Sequence, residues 1–193
     1  MNQVSISPDE ERTYTRIPTA KVLLWISMVS MIMLFAGLTS AYIVRQAEGN
    51  WVLFELPRMF YFSTALLVVS SLTMHYGLVS IKAGRNDGLL TGLIITLGLG
   101  LAFSFTQFLG WSSLVREGIF FVGNPSGSFL YVITALHLAH LAGGLLYLLI
   151  IITRTIRRQY GPGNYLQVQL CAIYWHFMDI LWIYLFIFLL IIR

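Results

Sequence analysis

Five apolar runs, each long enough to cross a bilayer, constrain this chain more than any other feature of it. A bilayer core needs about 20 helical residues. The runs cover approximately Val22 to Val44, Met59 to Ile81, Leu89 to Val115, Ser128 to Thr153 and Val168 to Ile192. None shows the short alternating segments from which outer-membrane barrels are built. The expected fold is therefore an all-α integral membrane bundle of five transmembrane helices. Only 10% of the 193 residues are charged, against about 25% in soluble domains. The bilayer, not water, is the solvent this chain is written for.

Between the runs lie turn-forming segments, including Leu56-Pro57-Arg58, the tight AGRNDG from Ala83 to Gly88, and the basic RTIRRQYGPGN. Gly and Pro punctuate the pattern there instead of kinking a helix. Basic residues set the orientation. Arg12, Arg16, Lys21, Lys82, Arg85, Arg154, Arg157 and Arg158 fall on one side, and Arg45, Arg58, Arg116 and Arg193 on the other. Eight against four places the N-terminus in the cytoplasm and the C-terminus in the periplasm. Residues 1–21 form a polar arm without a secretory pattern, and residues 22–193 the membrane domain. The net charge of +4 does not indicate nucleic acid, because the cations sit at run ends, where they reach for headgroups. Cys171 is the single cysteine, which excludes an intrachain disulfide.

Small residues recur every four positions. They are Gly92, Thr96, Gly100 and Ser104 in the third run, and Ala135, Ala139 and Gly143 in the fourth. In the first, Ala36 pairs with Ser40 and Gly37 with Ala41. Such stripes let helices approach closely, so all three are expected to face protein.

Polar side chains at mid-depth carry the functional question. At 1.5 Å per residue, His137 lies about 14 Å into the fourth run, with His140 one turn deeper. In the fifth run His176 lies about 12 Å in and Asp179 about 16 Å in. Each pair is spaced i, i+3 and shares a helix face. A lone charge is expensive at that depth, so these groups are expected to face inward, with Asp179 as partner to buried imidazoles. They could hold a metal, carry protons, or clamp helices and lipid together. A free-standing metal-dependent membrane enzyme is the enzymatic form of the first reading. His75 ends the second run, where a headgroup or loop contact is expected. Gln107 is placed to hydrogen-bond a neighbouring helix, and Trp175 and Trp182, seven apart, to pack on one face.

Several of these residues fall into a known pattern. Tyr174-Trp175-His176-Phe177, followed by Asp179 and Trp182, resembles the last-helix signature of subunit III of the haem–copper cytochrome c oxidases. ITALHLAHLAGG, with His137, His140 and Gly144, is similar to that family's fourth-span pattern. LFAGLTSAYIVR, Ser70-Ser71-Leu72-Thr73 and Gln107 match its other helices in order. The resemblance implies the short five-helix bacterial form, a multi-pass protein of the inner membrane. It also implies a non-catalytic subunit without cofactors of its own, bracing subunit I beside subunit II. The partner subunits would hold haem and copper and move electrons from cytochrome c to oxygen with proton pumping. Bound phospholipid is implied as well, and a respiratory supercomplex is compatible. Related quinol oxidases and nitric oxide reductases share much of the pattern. Two positions depart from it: Met31 replaces a buried glutamate, and Gly110 an acidic residue.

Overall fold

A computed structural model describes residues 18–53 and 56–192. Five helices follow one another: α1 Thr19–Ala47, α2 Arg58–Lys82, α3 Asn86–Arg116, α4 Pro125–Ile156 and α5 Leu166–Ile192. All five are long and apolar enough to span a membrane. Among the described residues the only β feature is an isolated bridge between Gly161 and Asn164. Residues 1–17 of the polar arm, with Arg12 and Arg16, lie outside the described residues, as does Arg193. The arm ends sooner than expected, because Pro18 caps α1 and Thr19 already begins it. Its rigid φ and missing N–H suit that boundary.

Chain reversals explain where the helices stop. Gly84 ends α2 at φ 75°, with Arg85 N–H donating to the Ser80 carbonyl at 2.9 Å and Gly84 N–H to that of Ile81 at 3.0 Å. This left-handed cap satisfies carbonyls that the helix leaves open. Gly118 repeats it after α3, and Arg158 does so after α4 with a non-glycine residue at φ 53°. At the start of α4, Asn124 Oδ1 accepts from Ser126 N–H at 3.0 Å, and Pro125 occupies the first helical position. Asn124 also donates to the Asn50 carbonyl at 3.2 Å, fastening the α1–α2 connection to the head of α4.

α2 and α3 form the tightest pair. Gly92 abuts Gly77 so closely that a Cβ on Gly92 would come 2.8 Å from the Gly77 Cα. One turn on, Thr73 and Thr96 share a hydroxyl hydrogen bond of 2.8 Å. α5 packs against α1, α2 and α4 and buries the bulkiest side chains of the bundle, Trp175 and Trp182. α1 packs only on α4 and α5 and buries a single stripe, Met31, Phe35, Thr39 and Tyr42. The third-run stripe does face protein through Gly92, Thr96 and Gly100. The other two do not. Ala135, Ala139 and Gly143 of α4 are exposed, as are Ala36, Gly37, Ser40 and Ala41 of α1. Spacing groups residues on a face, but the larger side chains beside them decide which way that face turns.

Candidate functional site

The centre of the bundle is built around α5. Heptad spacing places Trp175 and Trp182 on one face, and α2 meets them with hydroxyls. Trp175 Nε1 donates to Ser70 Oγ at 3.1 Å, and Trp182 Nε1 to Thr64 Oγ1 at 3.0 Å. The partners step in opposite directions along the two helices, as an antiparallel pair requires. Gly100 of α3 makes room for the ring of Trp175, which would lie 2.8 Å from a Cβ there, and Gly144 of α4 makes room for that of Tyr174, at 2.9 Å. Trp182 stacks on Phe60, with centroids 6.2 Å apart, and takes the edge of Phe103 at 5.0 Å. Buried indole N–H groups need acceptors, and both have one from the same helix.

Gln107 of α3 extends the pattern by donating through Nε2 to Ser63 Oγ at 2.9 Å. Trp111 Nε1 donates to Thr134 Oγ1 of α4 at 3.1 Å. Tyr174 donates to the His140 carbonyl at 2.8 Å, and Thr39 of α1 shares a 3.1 Å bond with Tyr184 of α5. Each contact joins two helices, and each is a single hydrogen bond. The residues on α2 that receive α3 and α5 were not singled out as acceptors from sequence. A signal existed: Ser63 and Ser70, and likewise Thr64 and Ser71, are seven apart, the same interval as the two tryptophans.

The mid-depth histidines and Asp179 do not converge. His137 is fully buried between Phe103, at 6.0 Å, and Trp182, at 5.0 Å, and neither ring nitrogen has a hydrogen-bond partner. His140 turns to its own helix, with Nδ1 2.7 Å from the Leu136 carbonyl, and its ring meets Phe35 of α1. His176 faces α2, where its Nδ1 lies 2.6 Å from Ser71 Oγ. His75 is exposed on α2 with its ring centroid 6.3 Å from that of His176.

Asp179 corrects the expected pairing with imidazoles. It is 3% exposed, and neither carboxyl oxygen has a hydrogen-bond partner. The Ser71 hydroxyl on α2 bonds His176 instead. The four residues of the metal reading are thus divided among three places. Among the described residues, no three His, Cys, Asp or Glu side chains stand close enough to share a metal ion. Cys171 is buried in α5.

The architecture is that of a multi-pass helical membrane protein, several of whose interior polar groups tie one helix to another. Comparison with known proteins makes the class specific. The family model "Cytochrome c oxidase subunit III" matches residues 50–192, and the chain belongs to that family. It is 34% identical over 174 residues to a probable cytochrome c oxidase subunit 3 of Nocardia farcinica, covering 85% of this chain and 82% of that one. It is 29% identical over 167 residues to cytochrome c oxidase subunit 3 of Bacillus sp. strain PS3, covering 84% and 80%. A probable quinol oxidase subunit 3 of Staphylococcus saprophyticus is 25% identical over 168 residues, covering 84% and 83%.

Proposed function

We propose that this chain serves as a non-catalytic brace in a proton-pumping terminal oxidase that passes electrons from cytochrome c to oxygen. Subunits I and II would carry the haem and copper and would be its direct partners. Phospholipid would fill the grooves of the bundle, which would sit in a bacterial inner membrane with its N-terminus in the cytoplasm. One observation carries the reading. Several interior polar side chains form single helix-to-helix ties, such as Trp175 to Ser70 and Gln107 to Ser63, and their chemistry is cohesion. A bundle held in this way offers a neighbouring subunit a rigid flank.

The test compares purified oxidase with and without this chain. Loss of the chain is expected to shorten the number of turnovers before inactivation and to reduce the lipid that co-purifies. Unchanged lifetime and lipid content would refute the proposal. The Staphylococcus relative supports a second reading, in which the donor is a quinol. Assaying the complex with reduced cytochrome c and with quinol separates the two.

A further inference from the structure

We propose that His75 of α2 and His176 of α5 form a binding site for a divalent transition-metal ion of the Zn2+ class, which ties the two helices together. Their ring centroids are 6.3 Å apart. Two imidazoles that each bind one ion at about 2.0–2.1 Å have ring centres roughly 5 Å apart at a tetrahedral angle and roughly 6.4 Å apart in line. His75 is exposed, so rotation about its side-chain bonds supplies the small closure that a tetrahedral site needs. His176 is the fixed half. It is half-buried, and its Nδ1 lies 2.6 Å from Ser71 Oγ. With the Nδ1 proton donated to that hydroxyl, Nε2 presents its lone pair, the arrangement that metal-bound histidines adopt. Ser71 and His75 are four apart on α2 and share a face. One helix face thus carries both the group that orients His176 and the ring that meets it.

The donor set selects the ion. Imidazole suits Zn2+, Cu2+ and Ni2+, whereas Ca2+ takes six or more oxygens. Zn2+ takes four ligands. Among the described residues no third His, Cys, Asp or Glu joins the pair, so water or a lipid phosphate oxygen fills the other two positions. Depth permits this. His75 is seven residues from Lys82, where α2 ends, about 10 Å along the helix axis, and its exposed ring is open to an ion arriving from that end. The other two histidines are engaged elsewhere, His137 between Phe103 and Trp182 and His140 with the Leu136 carbonyl. Trp175 and Trp182 already join α5 to α2 through Ser70 and Thr64. A metal adds a tie on the outer side of the same seam. Unlike the tryptophan bonds, that tie depends on a solute, so the ion sets how firmly α2 and α5 hold together.

The site does not depend on the bracing role. Its test uses the tag-free full chain in phosphatidylcholine bilayer discs, titrated calorimetrically with Zn2+. The expected result is one ion bound per chain, with an unfolding midpoint that rises as zinc is added. Losing the hydrogen-bond partner of a metal-bound imidazole costs about 10–100-fold in affinity. Ser71→Ala should weaken zinc binding by that factor, and His75→Ala, which removes a ligand outright, by at least about tenfold. His75 is exposed, so His75→Ala tests the site even if His176→Ala does not fold. With Cu2+ as the probe, electron paramagnetic resonance should show two imidazole nitrogens in the parent and one in His75→Ala. Unchanged zinc affinity in His75→Ala, or the absence of saturable binding by the parent, would overturn the proposal.

Discussion

The α2–α3 crossing supports a prediction in which two neighbouring glycines behave in opposite ways. A Cβ on Gly92 would come 2.8 Å from the Gly77 Cα, 2.9 Å from the Gly77 nitrogen and 2.9 Å from the Thr73 carbonyl oxygen. All three obstacles are backbone, so none can swing aside and the helices must separate. Overpacking of this kind costs about 1–3 kcal/mol. Separation also strains the Thr73–Thr96 bond, and interhelical polar contacts in a bilayer average about 0.6 kcal/mol. Alanine's better helix propensity returns at most about 1 kcal/mol, leaving Gly92→Ala destabilised by roughly 1–3 kcal/mol. At Gly77 the same methyl would meet Leu89 and Gly92 atoms at 3.5–3.7 Å. That is ordinary contact, so Gly77→Ala should be neutral or slightly stabilising. A gap of about 2 kcal/mol is near thirtyfold in the unfolding equilibrium. Detergent unfolding of the full chain, followed by tryptophan fluorescence, measures it. Equal stability of the two variants would show that backbone contact does not set the helix separation.

Three further outcomes follow from particular side chains. Asp179→Leu should leave stability unchanged or raise it by about 1–3 kcal/mol, because it removes a buried polar group that has no partner; a lower unfolding midpoint would contradict this. Arg158→Gly should raise the midpoint by about 1 kcal/mol, the cost of a left-handed backbone for a residue with a Cβ, and a loss of stability would show that the arginine side chain matters more. In the α4–α5 loop, Tyr160 donates to Gln167 Oε1 at 2.8 Å, and burial, partly offset by the neighbouring Arg154, pushes its phenol above the usual value. The folded state therefore favours the neutral phenol. Its stabilisation is complete below about pH 10 and is lost as pH rises through the higher folded value. Tyr160→Phe should lack this alkaline step in a stability–pH profile.

The helices were legible because bilayer thickness imposes a length that sequence alone displays. Helix ends were legible where glycine marked a tight turn, as at Gly84, and less so at Pro18 and Pro125, where the helices begin a few residues before the apolar runs. Rotation about each helix axis was not legible. Ala135, Ala139 and Gly143 share a face by spacing, yet it turns outward, while Leu141, Leu145 and Leu148 take the inside of α4. The same limit explains the candidate site. Depth along the helix identified His137, His140, His176 and Asp179 as embedded, but their azimuth decides their neighbours. α5 turns His176 toward Ser71 of α2, leaves the Asp179 carboxyl without a partner and sets Trp182 against His137.

The contact pattern of α1 bears on the order in which the molecule can be made. Synthesis delivers α1 before the surfaces it rests on, which belong to α4 and α5. The α2–α3 hairpin can close as soon as it emerges, because its two strands of contact are adjacent in sequence. α1 must instead wait in the bilayer, with Phe35, Thr39 and Tyr42 uncovered, until α4 and α5 have been inserted. Premature termination before α5 would leave that helix unanchored, a form that membrane quality control could recognise.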